Sequence, residues 1–162
     1  MPHHPDDTTA RVHRLAAALL QRQLLLATAE SCSGGLIAGA CTDLAGSSNW
    51  FERGFVTYSN EAKTELLGVD AALIARHGAV SEPVVRAMAQ GALAHSRAQV
   101  AVAVTGVAGP SGGSADKPVG LVWFGFALPG RVLTEFRQFD GDRAAVRAST
   151  VQHALGRLAE LL

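Results

Sequence analysis

Apolar residues recur at helical spacing over positions 12–20 and then close into the short bounded run "LLLAT" (24–28), which predicts a helix followed by a buried strand. From Gly34 onward "GGLIAGACTDL" predicts a second helix entered through a serine-glycine loop. "RGFVTY" (53–58) alternates like a strand and runs into Ser59, a good N-cap for a helix over "NEAKTELL". Ser81, followed by Glu82 and Pro83, opens another helix to about Ser96. The valine-rich "QVAVAVT" (99–105) predicts a strand, and "VGLVWFGFAL" and "RVLTEFRQF" flank Pro-Gly as a hairpin. Asp140 is the expected cap of a closing helix. Early alternation of strands and helices with a late antiparallel pair predicts an α/β domain: a mixed sheet covered by helices on both faces.

Composition narrows the picture. A chain of 162 residues, 48% hydrophobic, is long enough for one core and short for two, so one domain is expected over 11–162 with a flexible tail over 1–10. Fourteen basic residues balance fourteen acidic ones, which leaves no electrostatic footprint for nucleic acid or an anionic membrane. The longest apolar region is cut by Gln21, Arg22 and Gln23, and "MPHHPDDTTA" lacks the apolar segment of a signal peptide, so a cytoplasmic protein is expected. Cys32 and Cys41 form neither a CxxC pair nor a disulfide framework. His3 and His4 have no partner at metal-ligand spacing and read as solvated tail. Twelve of the basic residues are Arg; the lysines are Lys63 and Lys117, and Tyr58 is the single tyrosine.

Three segments fall at the expected carboxyl ends of strands, where ligands collect in sheets of this kind: "AESCSGG", "YSNEAK" and "TGVAGPSGG". The last does not match a Walker loop and reads either as a surface loop needing glycine or as a functional loop of unusual length. Lys63 sits in the first turn of its helix, where the dipole disfavours a cation, and Asn60 shares its face. One alternative is an exposed lysine paired with Glu61 or Glu65. A chain this rich in Arg, however, gains from Lys only the ability to give up a proton, which points to a base. Lowering a lysine pKa from ~10.4 into the neutral range takes about 4 kcal/mol. Burial must supply most of that. Of the neighbouring nucleophiles, Cys32 lacks a histidine partner in these segments and Ser33 is placed to cap the following helix. Ser31, at the strand's end, can face a pocket while the N–H groups of Ser33, Gly34 and Gly35 point toward developing negative charge. Ser31 is therefore the expected nucleophile, and Glu30 reads as a structural carboxylate that positions the loop.

The blocks "TAESCSGGLIAG", "GSSNWFERGFVTYSNEAKTELLGV", "GAVSEPVVRAMAQGAL", "TGVAGPSGGSADKPVGLVWFG" and "GDRAAVR" together resemble the CinA C-terminal domain family, the competence-damage-inducible proteins, whose stand-alone members include nicotinamide-nucleotide amidohydrolases. The resemblance runs from about residue 12 to the end of the chain and implies a single-domain, three-layer α/β/α sandwich. It also implies hydrolysis of the carboxamide of nicotinamide mononucleotide to nicotinate mononucleotide and ammonia, with no metal or cofactor. By motif position the serine-lysine pair becomes Ser31 and Lys63. Tyr58 heads the lysine block and is expected to bridge the pair or to protonate the departing ammonia. Thr105, Gly106 and Gly109 would line the mononucleotide site with Ser33, Gly34, Gly35 and Asn60. Arg143 would hold the 5′-phosphate, the alternative being a solvated charge at the start of the last helix. A homodimer is implied by family habit, together with an expectation that Trp50 and Phe51 are exposed. The rival class is a non-catalytic module that holds a nucleotide or a protein partner in the same pocket.

Overall fold

The computed structural model describes residues 5–162. Helix α1 (Pro5–Arg22) precedes strand β1 (Leu26–Glu30), helix α2 (Leu36–Thr42), a short 3₁₀ turn (Ser47–Asn49) and strand β2 (Phe51–Val56). Helices α3 (Asn60–Leu67), α4 (Ala71–His77) and α5 (Glu82–Ala94) follow. Strands β3 (Val100–Gly106), β4 (Leu121–Leu128) and β5 (Arg131–Gln138) then lead to helix α6 (Arg143–Leu161). The expected tail is thus helical from Pro5. The remainder of the tail, with His3 and His4, lies outside the described residues.

The sheet runs β2-β1-β3-β4-β5, parallel from β2 through β3 and antiparallel from β3 to β5. Its two faces differ in size. Leu26, Val100, Val102, Val104, Val122, Phe124 and Phe126 pack with buried residues of α1, α2 and α6, among them Leu15, Ile37 and Leu155. Ala27, Ala29, Ala101, Ala103 and Ala127 face Leu67 of α3, Ile74 of α4 and Val84, Val85 and Met88 of α5. Strand alternation accounts for both sets: the inner strands are buried on both sides and send mostly large residues one way and small ones the other, Trp123 of β4 being an exception on the small face. The small face lets α5 lie close to the sheet; a Cβ added at Gly125 of β4 would stand 2.7 Å from the carbonyl oxygen of Val85. This is a three-layer α/β/α sandwich with a mixed sheet, as expected.

Several boundaries move. The last helix is capped by Asp142, whose side chain accepts from the Ala145 N–H at 2.9 Å, and not by Asp140. Helix α4 has no counterpart among the expected elements. The aromatic pair expected at the surface is inside: Trp50 is 1% exposed and Phe51 half-buried, because the turn before β2 folds back onto α1 and α2. That removes the surface argument for a dimer. The exposed aromatics are Tyr58 and Phe136.

The connections place the site. From β1 the chain passes through α2 on the large face to β2, then returns through α3, α4 and α5 on the small face to β3, on the other side of β1. The carboxyl end of β1 is therefore a switch point, with the two flanking crossovers leaving on opposite faces.

Candidate active site

Ser31 is the first residue beyond β1. Its N–H still donates to the Val104 carbonyl at 3.1 Å, and the Gly34 N–H turns back to the Ser31 carbonyl at 3.0 Å. Gly34 (φ +60°) and Gly35 (φ +104°) occupy the left-handed region that lets this tight turn feed α2. Alternation then separates two neighbours: Glu30 faces the α2 layer and Ser31 the α3 layer.

Glu30 is 1% exposed, and its carboxylate accepts from the Ser33 hydroxyl (2.5 Å) and from the Ile37 and Ala38 N–H groups (2.8 and 3.0 Å). It does the capping expected of Ser33, whose hydroxyl is spent on Glu30 and whose carbonyl accepts from the Leu36 N–H. This changes the expected anion site. The N–H groups of Gly34, Leu36, Ile37 and Ala38 already have acceptors, and Ser33 is fully buried. Among the described residues, the turn amides left without a backbone or side-chain acceptor are those of Cys32, Ser33 and Gly35.

Helix α3 brings the lysine. Ser59 caps it as expected, its hydroxyl oxygen accepting from the Ala62 N–H at 3.0 Å. Lys63, in the first turn, is 1% exposed, and its Nζ lies 3.2 Å from Ser31 Oγ. The same nitrogen donates to the carbonyls of Thr57 (3.0 Å), Tyr58 (3.4 Å) and Ser59 (3.4 Å), and among the described residues it has no carboxylate partner. Burial pulls its pKa below the ordinary lysine value, against smaller opposing effects that include the Glu61 charge. Burial pushes the Cys32 thiol up to about 12, so Cys32 stays protonated and packs under the turn.

Tyr58 does not bridge the pair. Strand β2 has ended at Val56, the Tyr58 ring is 63% exposed, and its hydroxyl oxygen accepts from Arg143 Nη2 at 3.3 Å; only its carbonyl meets Lys63. Arg143, at the first position of α6, also donates from Nη1 to the Gly109 carbonyl at 2.9 Å. It borders a cleft of about 660 Å³ with Ala108, Pro110, Val119, Gly141, Arg147 and Asp142, whose carboxylate caps α6. Arg147 joins this cleft to the serine turn, donating to the Cys32 carbonyl from Nε (3.2 Å) and to the Ser33 carbonyl from Nη2 (3.3 Å).

Other expected ligands stand elsewhere. Thr105 is buried, and its hydroxyl donates to the Ala79 carbonyl at 3.0 Å, fastening the segment before α5. Gly106 is needed where β4 crosses closely: a Cβ there would lie 2.9 Å from the Leu121 carbonyl oxygen. Asn60 opens onto a separate cavity of about 370 Å³ between α3 and α4, with Glu61, Thr64 and Ile74. Arg147 was not expected from the sequence. Its signal was its position one helical turn after Arg143 in the same block.

A buried amine against a serine, beside a cleft that two arginines border, is an arrangement with known relatives. The nicotinamide-nucleotide amidohydrolase PncC of Enterobacter agglomerans is 58% identical over 150 residues, covering 90% of this chain and 92% of that protein. The nicotinamide-nucleotide amidohydrolase PncC of Pseudomonas putida is 54% identical over 156 residues, covering 96% and 98%. The crystal structure of the competence/damage inducible protein CihA from Agrobacterium tumefaciens matches with a TM-score of 0.93 at 48% identity over 99% of both chains. The model of the CinA C-terminal domain matches residues 8–162. The chain therefore belongs to the CinA C-terminal domain family.

Proposed function

We propose that the protein hydrolyses the carboxamide of nicotinamide mononucleotide to nicotinate mononucleotide and ammonia by acyl transfer through Ser31 and Lys63. The observation that carries this reading is the Lys63 amine, 1% exposed and 3.2 Å from Ser31 Oγ. Two relatives aligned over nearly their whole length bear the name nicotinamide-nucleotide amidohydrolase, which supports a nicotinamide nucleotide as the substrate.

A neutral Lys63 has two N–H bonds for two of its three carbonyl neighbours and a lone pair for the Ser31 hydroxyl proton. As that proton moves to Nζ, Ser31 Oγ bonds to the carboxamide carbon and the carbonyl π pair moves onto oxygen. The Cys32 N–H, next to the nucleophile, is the donor assigned to this oxyanion, in place of the helix amides that Glu30 occupies. Collapse breaks the C–N bond, and the Lys63 proton leaves with the nitrogen as ammonia. Water then gives a proton to Lys63 and attacks the ester; nicotinate departs and the proton returns to Ser31.

Arg143 is assigned to the 5′-phosphate. It stands four residues before Arg147 on one helix, a pair of like charges that disfavours the helix unless an anion meets it. Tyr58 is assigned to holding the Arg143 fork. All of these groups come from one chain, so the proposed turnover needs no second copy. The deciding experiment is ammonia release from nicotinamide mononucleotide by the wild-type protein and by Ser31→Ala. Release by the first and not the second is expected. Binding without release by the wild type would establish the non-catalytic module instead.

A further inference from the structure

Arg147 is a permanent cation, half-buried, and among the described residues it makes no ion pair with a carboxylate. Its hydrogen bonds go to two neutral carbonyls, those of Cys32 and Ser33, the two residues that follow the nucleophile. A guanidinium half-removed from water without a counter-charge is costly, and nothing in the packing of α6 asks for it: Val146, Thr150, Val151 and Ala154 already seat the helix.

The bonds have a geometric consequence. A trans peptide unit is planar, with its carbonyl and N–H pointing opposite ways, so fixing a carbonyl fixes the direction of the next residue's N–H. The Gly34 N–H to Ser31 carbonyl bond orients the unit that carries the Cys32 N–H. Arg147 orients the following two units from outside. The second of these is held at both ends, since its N–H is the Gly34 donor itself. From the opposite side Glu30 grips the same turn through the Ser33 hydroxyl. The turn is thus clamped between a carboxylate on the α2 face and a guanidinium on α6. A Cβ at Gly34 would already stand 3.4 Å from Arg147 Nη2, so the fit is close.

We propose that Arg147 is a positioning residue: it holds the turn after Ser31 so that Ser31 Oγ stays in line with Lys63 Nζ and the Cys32 N–H stays aimed at the reacting carbonyl. The proposal rests on the serine-lysine reading above. It separates the two arginines of the cleft, giving the anion to Arg143, which is exposed, and the turn to Arg147, which is spent on it.

The test uses a substrate and a probe without phosphate recognition. Arg147→Met and Arg147→Lys are assayed for kcat and KM on nicotinamide mononucleotide and for the rate at which a small uncharged fluorophosphonate labels Ser31. In that labelling the serine oxygen bonds to phosphorus, fluoride leaves, and Lys63 takes the serine proton. The expected result for Arg147→Met is a kcat about 10- to 100-fold lower, with KM little changed and labelling slowed to a similar extent. Arg147→Lys should recover part of both, because one ammonium can reach one carbonyl but not span two. A raised KM with kcat and labelling intact in either variant would make Arg147 a substrate ligand and overturn the proposal. A lowered Tm with normal kcat and labelling per folded molecule would make it a structural contact and overturn it too. If wild-type Ser31 is not labelled, or is labelled as fast in Lys63→Met as in the wild type, the serine-lysine reading itself has failed, whatever Arg147 does.

Discussion

At the scale of single residues, the proposed function turns on one proton. Lys63→Met keeps the apolar stem and loses the amine; Lys63→Arg keeps the charge and cannot give up its proton. Both should lose at least about 10³-fold in kcat/KM, as Ser31→Ala should, because groups that act as one unit fail together. An arginine variant that keeps substantial activity would make Lys63 a source of charge only. Wild-type kcat/KM should rise with pH through the lowered lysine pKa, since deprotonation creates the base. Stability carries the same sign. The folded state binds its Lys63 proton less tightly than the unfolded chain does, so wild type gains stability relative to Lys63→Met as pH rises from the lowered value toward the ordinary lysine range, and the difference is flat below that window. Denaturant titrations of the two proteins at several pH values measure it. Cys32→Ala should cost little activity, its thiol being packed and protonated.

At the scale of elements, α2 begins on a borrowed cap. Seven residues long, it cannot hold itself, and Glu30 of the preceding strand supplies the acceptors for its first amides. Glu30→Ala should lower stability by about 2 kcal/mol or more and loosen the serine turn, read as a lower Tm together with a lower kcat. Gly125→Ala should destabilise by roughly 1–3 kcal/mol with kinetics unchanged per folded molecule, because the methyl would press the α5 backbone away from β4. These elements were unequally legible. Helix α3 was plain in the sequence because its start signal, Ser59, is local. So were the strands with alternating or continuous apolar runs. Helix α4 carries its own signals, Asp70 before it and Gly78 after it, but its apolar stretch is too short for periodicity to mark it. The Glu30 cap was half legible: a structural carboxylate positioning the loop was expected, yet its amide partners lie seven and eight residues on and depend on which face of the sheet the side chain takes. Arg147 and Tyr58 depend on how α6 docks, which no local pattern encodes.

At the scale of the whole molecule, the topology brings three separate stretches of chain to the end of β1: the serine turn on one crossover, the lysine helix on the other, and α6 closing over both from the far end of the sequence. The groups of the proposed mechanism all come from one chain, so ammonia release per chain should stay constant on dilution through any association equilibrium; a rate that falls as the protein disperses would mean that a second copy contributes. No helix among the described residues is long and apolar enough to cross a membrane. The burial of Lys63 has one more consequence. With two lysines in the sequence, one of them 1% exposed and the other, Lys117, drawn onto the His77 carbonyl, the folded protein offers few lysine amines to reagents such as cyanate. Cyanate can reach the Lys63 amine in the native fold only along the path the substrate takes, so carbamylation there should slow when nicotinamide mononucleotide fills the site, readable by mass at a single residue.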